Sequence, residues 1–325
     1  EYFFSAASFL QYSSSLRVVR AANSGSVNAV VSGTALQIKN TDHYQNGDGS
    51  TGPYNDGSAN VGEWAARTAG AWGNSLQVSV CPSATAYEET NKTTTNDSSI
   101  SIGDTTLTLT SGTDFNVGDI INFGETGGHE YRITAVSSND ITFVRHPSGT
   151  GGLHTALAGG TQVRRRWRYY DLVDKAPGTS TYTSTRSGAN DEMHIVVIDE
   201  DGGITGTAGE VLEVYDSVSK ASDAKTAQGD SNYYADVIYN KSQYIYWMDH
   251  NTGGSNWGST ASGTTFTAVD SPFVDSLVSG ADGSAVTTAE MKTAYEKFAD
   301  GDTLDVNLII AGKGDATHID NLITI

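Results

Sequence analysis

The sequence predicts an α+β, multidomain chain: a β-rich domain carrying an inserted small all-β unit, a barrel or a sandwich, together with the start of an α/β core. Three observations predict it. Alternating apolar runs separated by Gly or Asn-Asp turns fill residues 98–163. Helical periods occur only before residue 73 and after residue 286. Composition breaks at Glu88, and long-strand character resumes at Arg164. The division that follows is 1–90 with 164–270 as one discontinuous α/β and β-rich domain, 91–163 as the inserted module, and 271–325 as an α/β core that is only begun.

In chain order, Phe4, Ala7, Phe9 and Leu10 suggest a short helix, and residues 16–20 a strand. Residues 40–60, rich in Gly, Asp and Asn, read as a long exposed loop. Val61, Trp64, Ala65, Thr68 and Trp72 fall near one helical face, ended by Gly73-Asn74, and residues 76–80 alternate as a strand wet on one side. Residues 89–99 have little to bury and read as a linker. Paired apolar positions then mark strands at Leu107 and Leu109, Ile121 and Phe123, Tyr131 and Ile133, and Ile141 and Phe143. Residues 164–173 resume as though returning to the sheet left at Cys81. Residues 195–198 and 211–214 read as strands around an acidic turn, 233–248 as aromatic strands, and 252–265 as a loop. Thr287 and Glu290 form a capping box for a helix that shows Met291, Ala294, Tyr295 and Phe298 on one face and closes at Gly301. Residues 306–310 read as a buried strand, and Asp315 as the cap of another helix.

The totals exclude several classes. Net charge is −19, which opposes nucleic acid as a direct partner, because phosphate recognition needs clustered Lys and Arg. The single cysteine, Cys81, rules out an internal disulfide framework and a cysteine zinc site. No apolar run approaches the roughly 20 residues of a membrane span, so no membrane insertion is expected.

Candidate chemistry is sparse. Residues 311–315, AGKGD, sit where a phosphate loop would, yet no Gly lies four residues before Gly312-Lys313, and Gly314 stands where Ser or Thr is needed. Asp199-Glu200-Asp201 lacks the spaced ligands of a calcium loop and reads as a solvated turn. No paired-His metal spacing and no nucleophile elbow appears. The expectation is therefore no catalytic residue, no metal and no cofactor. Arg164, Arg166 and Arg168 would share one strand face, suited to internal or intersubunit ion pairing.

Three stretches, in this order, resemble the sheath proteins of contractile-tailed, myovirus-type bacteriophages. They are residues 63–78, EWAARTAGAWGNSLQV; Ile204 to Glu213 followed by Val218 to Ala221; and residues 277–283, LVSGADG, followed after a helix by residues 305–309, DVNLI. The resemblance covers 1–90 and 165–325 and leaves 91–163 outside, like the added modules sheath proteins carry on their outer side. It implies a structural subunit that polymerises with itself as hexameric rings around the tail tube, on a baseplate. Contraction would drive the tube through the host envelope by switching between two packings. It also implies assembly in the host cytoplasm, location in the virion, and a C-terminal core and terminal arms not found in these residues. Trp64, Arg67, Trp72, Gly73, Asn74, Gly280, Asp282 and Gly283 would be scaffold residues. The alternative is a virion-surface or secreted β-rich carbohydrate-binding module, permitted by the turn-rich composition and an exposed-looking Trp257. An acidic secreted hydrolase is a third, without a constellation to support it.

Overall fold

The computed structural model describes residues 2–113, 115–299, 301, 302, 304–312 and 315–324. In chain order its elements are helix α1 (Tyr2–Leu10), strand β1 (Ser26–Val27), α2 (Thr41–Asn46), β2 (Trp64–Ala66), β3 (Leu76–Cys81), α3 (Ala84–Tyr87) and β4 (Glu88–Thr94). Next come β5 (Thr106–Thr108), β6 (Ile120–Asn122), β7 (Glu130–Ser137), β8 (Asp140–His146), β9 (Gln162–Arg166), α4 (Thr181–Ser184), β10 (Glu192–Asp199) and β11 (Glu210–Ser219). The last are α5 (Tyr234–Lys241), β12 (Ile245–Trp247), β13 (Phe273–Ser276), β14 (Ala281–Asp282), α6 (Thr288–Tyr295) and α7 (Ala316–Ile323). The fold is mixed α+β and rich in antiparallel sheet.

An antiparallel sheet ordered β11-β10-β3-β13 forms the centre. One of its faces, carrying Val78, Val80, Ile195 and Val197, packs with Trp64, Ile238 and Trp257. The other, carrying Cys81, Val196 and Ile198, packs against Trp167 and Tyr169. Neither face is wet, which corrects the expectation for residues 76–80. The polar member of the alternation, Ser79, is buried because the Trp167 indole N–H donates to its hydroxyl at 2.9 Å. Removing that hydroxyl would leave a buried donor unpaired, at a cost of ~1–3 kcal/mol.

The second large sheet runs β4-β9-β6-β7-β8-β5 and closes on itself. Asn96 N–H donates to Thr108 O and Thr110 N–H to Thr94 O, both at 2.8 Å, joining the first strand to the last. It is thus a six-stranded antiparallel barrel. Leu107, Ile121, Tyr131, Ile133, Ile141 and Phe143 point inward as the period-two pattern requires. Burying each such aliphatic or aromatic side chain contributes ~1.5–3 kcal/mol. Closure also leaves no open edge for foreign strands.

Residues 89–94, expected as linker, belong to β4. Threonine suits a pleated surface, and β4 pairs with β9 at Glu88↔Arg166 and Thr94↔Gln162. For the same reason residues 162–166 do not rejoin the sheet left at Cys81. They stay in the barrel, and only Trp167 and Tyr169 reach the central sheet. The expected helix near residues 61–72 is strand β2 followed by a 3-10 turn over Ala71–Ser75. Trp64, Ala65 and Ala66 are all buried, and β12 claims them at Trp247↔Trp64 and Ile245↔Ala66, overriding alanine's helix preference. Residues 233–248 are helix α5 followed by strand β12, with Tyr234, Val237 and Ile238 turned inward at helical spacing. Within residues 40–60, α2 is docked by Tyr44, whose ring stacks on Tyr246 at 4.2 Å and whose hydroxyl donates to Trp247 O. The capping box of α6 and the Asp315 cap of α7 are present as expected.

Barrel closure generates a test. A fragment spanning residues 88–167 contains all six strands, whereas 95–167 lacks only β4. The longer fragment is expected to give dispersed amide resonances and the shorter one collapsed, poorly dispersed ones. Dispersed spectra from both would show that closure by β4 is dispensable.

Candidate functional site

Of the scaffold residues expected from the sequence, Asn74, Gly280 and Asp282 meet along one seam, where residues 70–74 pass residues 280–282. Asn74 exchanges two hydrogen bonds with Gly280, Nδ2 to O at 3.0 Å and N to Oδ1 at 2.7 Å. The Asp282 carboxylate accepts Ala71 N–H at 2.9 Å. Gly280 has no room for a side chain, since a Cβ would lie 2.6 Å from Gly70 O, and a Cβ on Gly73 would lie 2.7 Å from the Ala66 methyl. Gly283 turns at φ 77 beside β1, which pairs with β14. Arg67 donates to Tyr239 O and Ser242 O and lies over the Tyr246 ring at 4.7 Å. Trp64 is buried in the main core and Trp72 packs against it. Asn74→Ala is expected to lower unfolding free energy by ~1–3 kcal/mol in urea. Gly280→Ala should cost ~1–3 kcal/mol through overpacking. Losses below half a kcal/mol in both would dissolve the seam.

Arg164 and Arg166 alternate along β9, Arg168 lies in the turn beyond its end, and the three act separately. Arg164 is exposed. Arg166 bonds Glu130 at 2.9 Å and Glu88 at 3.2 Å, and lies over Tyr170. Arg168 lies over Tyr169 at 5.0 Å. The residue that the sequence reasoning missed is Arg165. It is fully buried and reaches Ser271 Oγ, Asp270 O and Thr85 O, joining the barrel to the segment before β13. Its parity with Val163 and Trp167 was the available signal. Asp119 lies buried nearby, and desolvation pushes its carboxyl up to about 7 against the pull of Arg165 and Arg168.

The acidic turn, expected to be solvated, buries its first carboxylate. Asp199 is fully buried and accepts from Ser75 Oγ, Ile204 N, Thr205 N and Thr205 Oγ1, which hold its carboxyl at about 2 although burial would raise it. Among the described residues no group of three or more His, Cys, Asp or Glu could hold a metal ion. Lys313 and Gly314 of the defective phosphate loop lie outside the described residues. Trp257 is buried and donates to Thr267 O, so it offers no stacking face.

Asp275 of β13 is pushed up to about 7 by burial and by the Glu63 carboxylate. Its carboxyl faces the Trp64 indole N–H, but Trp64 Nε1 and Asp275 Oδ2 both lack a well-formed hydrogen bond. A carboxyl raised from 3.8 contributes stability that is fully present below its unfolded value and is lost as pH rises through about 7. Asp275→Asn cannot ionise. Its melting temperature should therefore gain on the parent as pH rises from about 4 to about 7 and keep a constant lead above that. Scanning calorimetry showing a lead independent of pH would place the titration elsewhere.

A concave surface lies between residues 5–21 and residues 286–311. Phe9 of α1, Leu16 and Val18 face Met291 and Tyr295 of α6 and Leu308 across an apolar groove of about 540 Å³. Residues 16–20 and 306–310, both expected as strands, form no strand here. Among the described residues no backbone N–H of these two segments donates to another backbone group. Residues 306–310 are also not buried: Leu308 is 66% exposed, and Val18 is 79% exposed. Tyr295 Oη donates to Ile310 O at 2.8 Å, holding one bank in place. Beneath it the fully buried His318 ring meets Tyr295 at 5.0 Å and has no hydrogen-bond partner among the described residues. Chemically the groove offers apolar area and unused backbone donors and acceptors, which is what an added strand needs.

No protein-family model matches the chain, and no curated protein matches it. No helix among the described residues is long and apolar enough to cross a membrane.

Proposed function

We propose that this chain is part of a contractile-tail sheath subunit of the myovirus type, a structural protein that works by polymerising. The observation that carries the proposal is the groove flanked by two apolar segments that have no strand partner among the described residues. Such segments are a liability in a lone molecule and an asset in one completed by a neighbouring polypeptide. The sequence stretches that resemble sheath proteins also support it, because residues 63–78 and 277–283 lie side by side along the Asn74–Gly280 seam. The barrel enters and leaves on adjacent strands, β4 and β9, which suits a module inserted on the outer side. A net charge of −19 sets long-range repulsion against these contacts, so assembly would depend on short-range fit and on the tube as template.

With tail-tube protein present, the subunit is expected to form rings or tubes visible by electron microscopy. Val18→Asp with Leu308→Asp places charge on both banks of the groove and should abolish them while leaving the circular dichroism spectrum unchanged. Polymers that persist in the double variant would sink the proposal.

A further inference from the structure

A second cleft, of about 470 Å³, lies where the barrel meets the turn between β10 and β11, and Gln77, Asn116, Arg168, Glu200 and Gly209 line it. Its distinguishing feature is Arg168. The other half-buried or buried arginines are paired: Arg67 and Arg145 with backbone carbonyls, Arg165 and Arg166 with carboxylates. Among the described residues Arg168 makes no hydrogen bond and no close ion pair; its one charged influence is the longer-range pull on the buried Asp119 carboxyl, which burial pushes up to about 7. It is nevertheless held in place. Its stem runs across Gly118, at φ 97, where any Cβ would collide with its Cδ, and its terminal nitrogen sits 3.5 Å from where a Cβ of Gly209 would be. Its guanidinium lies over the Tyr169 ring. A fork that is fixed but unpaired is prepared for a planar anion.

Apart from Arg168 and the second N–H of the Asn116 amide, the remaining side-chain capacity of the cleft is acceptor. The Gln77 amide N–H groups are already given to Glu200 Oε1 and Ser276 Oγ, and one N–H of Asn116 to Pro272 O. That leaves as acceptors the carbonyl oxygens of Gln77 and Asn116 and one oxygen of Glu200. A dianion such as phosphate would meet the Glu200 carboxylate and a chain carrying net charge −19. A monoanion that also brings several O–H donors would satisfy both walls, and the volume is that of a small-ligand pocket.

We propose that this cleft binds a small polyhydroxylated carboxylate of the uronic-acid kind, with Arg168 clamping the carboxylate and Glu200, Gln77 and Asn116 accepting from its hydroxyls. The inference stands apart from the assembly role and survives if that role fails.

The test is titration calorimetry and saturation-transfer NMR of the intact chain with glucuronate, glucose, glutamate and inorganic phosphate. Glucuronate is expected to bind saturably, with glucose about ten-fold weaker or worse for want of the carboxylate. Arg168→Lys keeps the charge, loses the fork, and should weaken glucuronate about ten-fold. Arg168→Ala should abolish binding, and unchanged melting curves for both variants would exclude misfolding. Glutamate binding as tightly as glucuronate would overturn the sugar assignment, and phosphate binding more tightly would overturn the monoanion one. No saturable binding by any probe, or glucuronate binding untouched by both variants, would overturn the site altogether.

Discussion

The rest of the structure depends on the central sheet being covered on both faces. β10 is buried along its whole length, so everything around it has to supply a lid. On one side α5, the β2–β12 pair and Trp257 do so. On the other, the lid is Trp167 and Tyr169 at the foot of the barrel. The Trp167–Ser79 hydrogen bond fixes how that foot sits, and Arg165 reinforces it from inside the barrel wall. The barrel thus has its own core, yet its last strand runs directly into the aromatic pair that seals the sheet.

Much of this was legible in the sequence where one rule applies at a time. The barrel strands alternate cleanly because they have one apolar and one polar side, and the α6 and α7 caps are local chemistry. Legibility failed where two environments overlapped. Trp64-Ala65-Ala66 is buried all round, so periodicity could not separate helix from strand, and the partner that decides it, β12, lies almost 200 residues away. Ser79 looked like a wet position because hydrogen bonding to a buried indole leaves the same mark as solvent. Residues 16–20 and 306–310 have strand composition, but strand formation needs a neighbour, and composition cannot say whether one is within reach. Of the candidate site residues, the glycines and Asn74 were visible through a resemblance, while Arg165 hid within a basic run whose alternate members are exposed.

Charge is distributed against the average. With 38 acidic and 19 basic residues, the chain spends several of its few cations internally. Lys220 is fully buried, its ammonium donating to Pro82 O, Asn190 O and Glu192 O over the Trp257 ring, and burial pushes it down to about 8. Arg67 and Arg165 serve in the same way, as donors to backbone carbonyls that no strand partner satisfies. Each carbonyl left unpaired in such a place would cost ~1–3 kcal/mol. Asp119, Asp191, Glu192 and Asp199 are buried too, so the acidic excess of the composition persists on the exposed surface, and the half-buried Arg168 stands out against it.

The root of the barrel also determines how it would respond to tension. Glu88 and Arg166 are paired across β4 and β9, and Trp167 N–H donates to Tyr87 O at 2.8 Å just beneath them. The points where the chain enters and leaves are therefore neighbours. A pull transmitted along the polypeptide crosses from residue 87 to residue 167 through that short link and bypasses the barrel strands. The barrel rides on the load path as a passenger, free to vary in size without altering the length over which the rest of the molecule carries force.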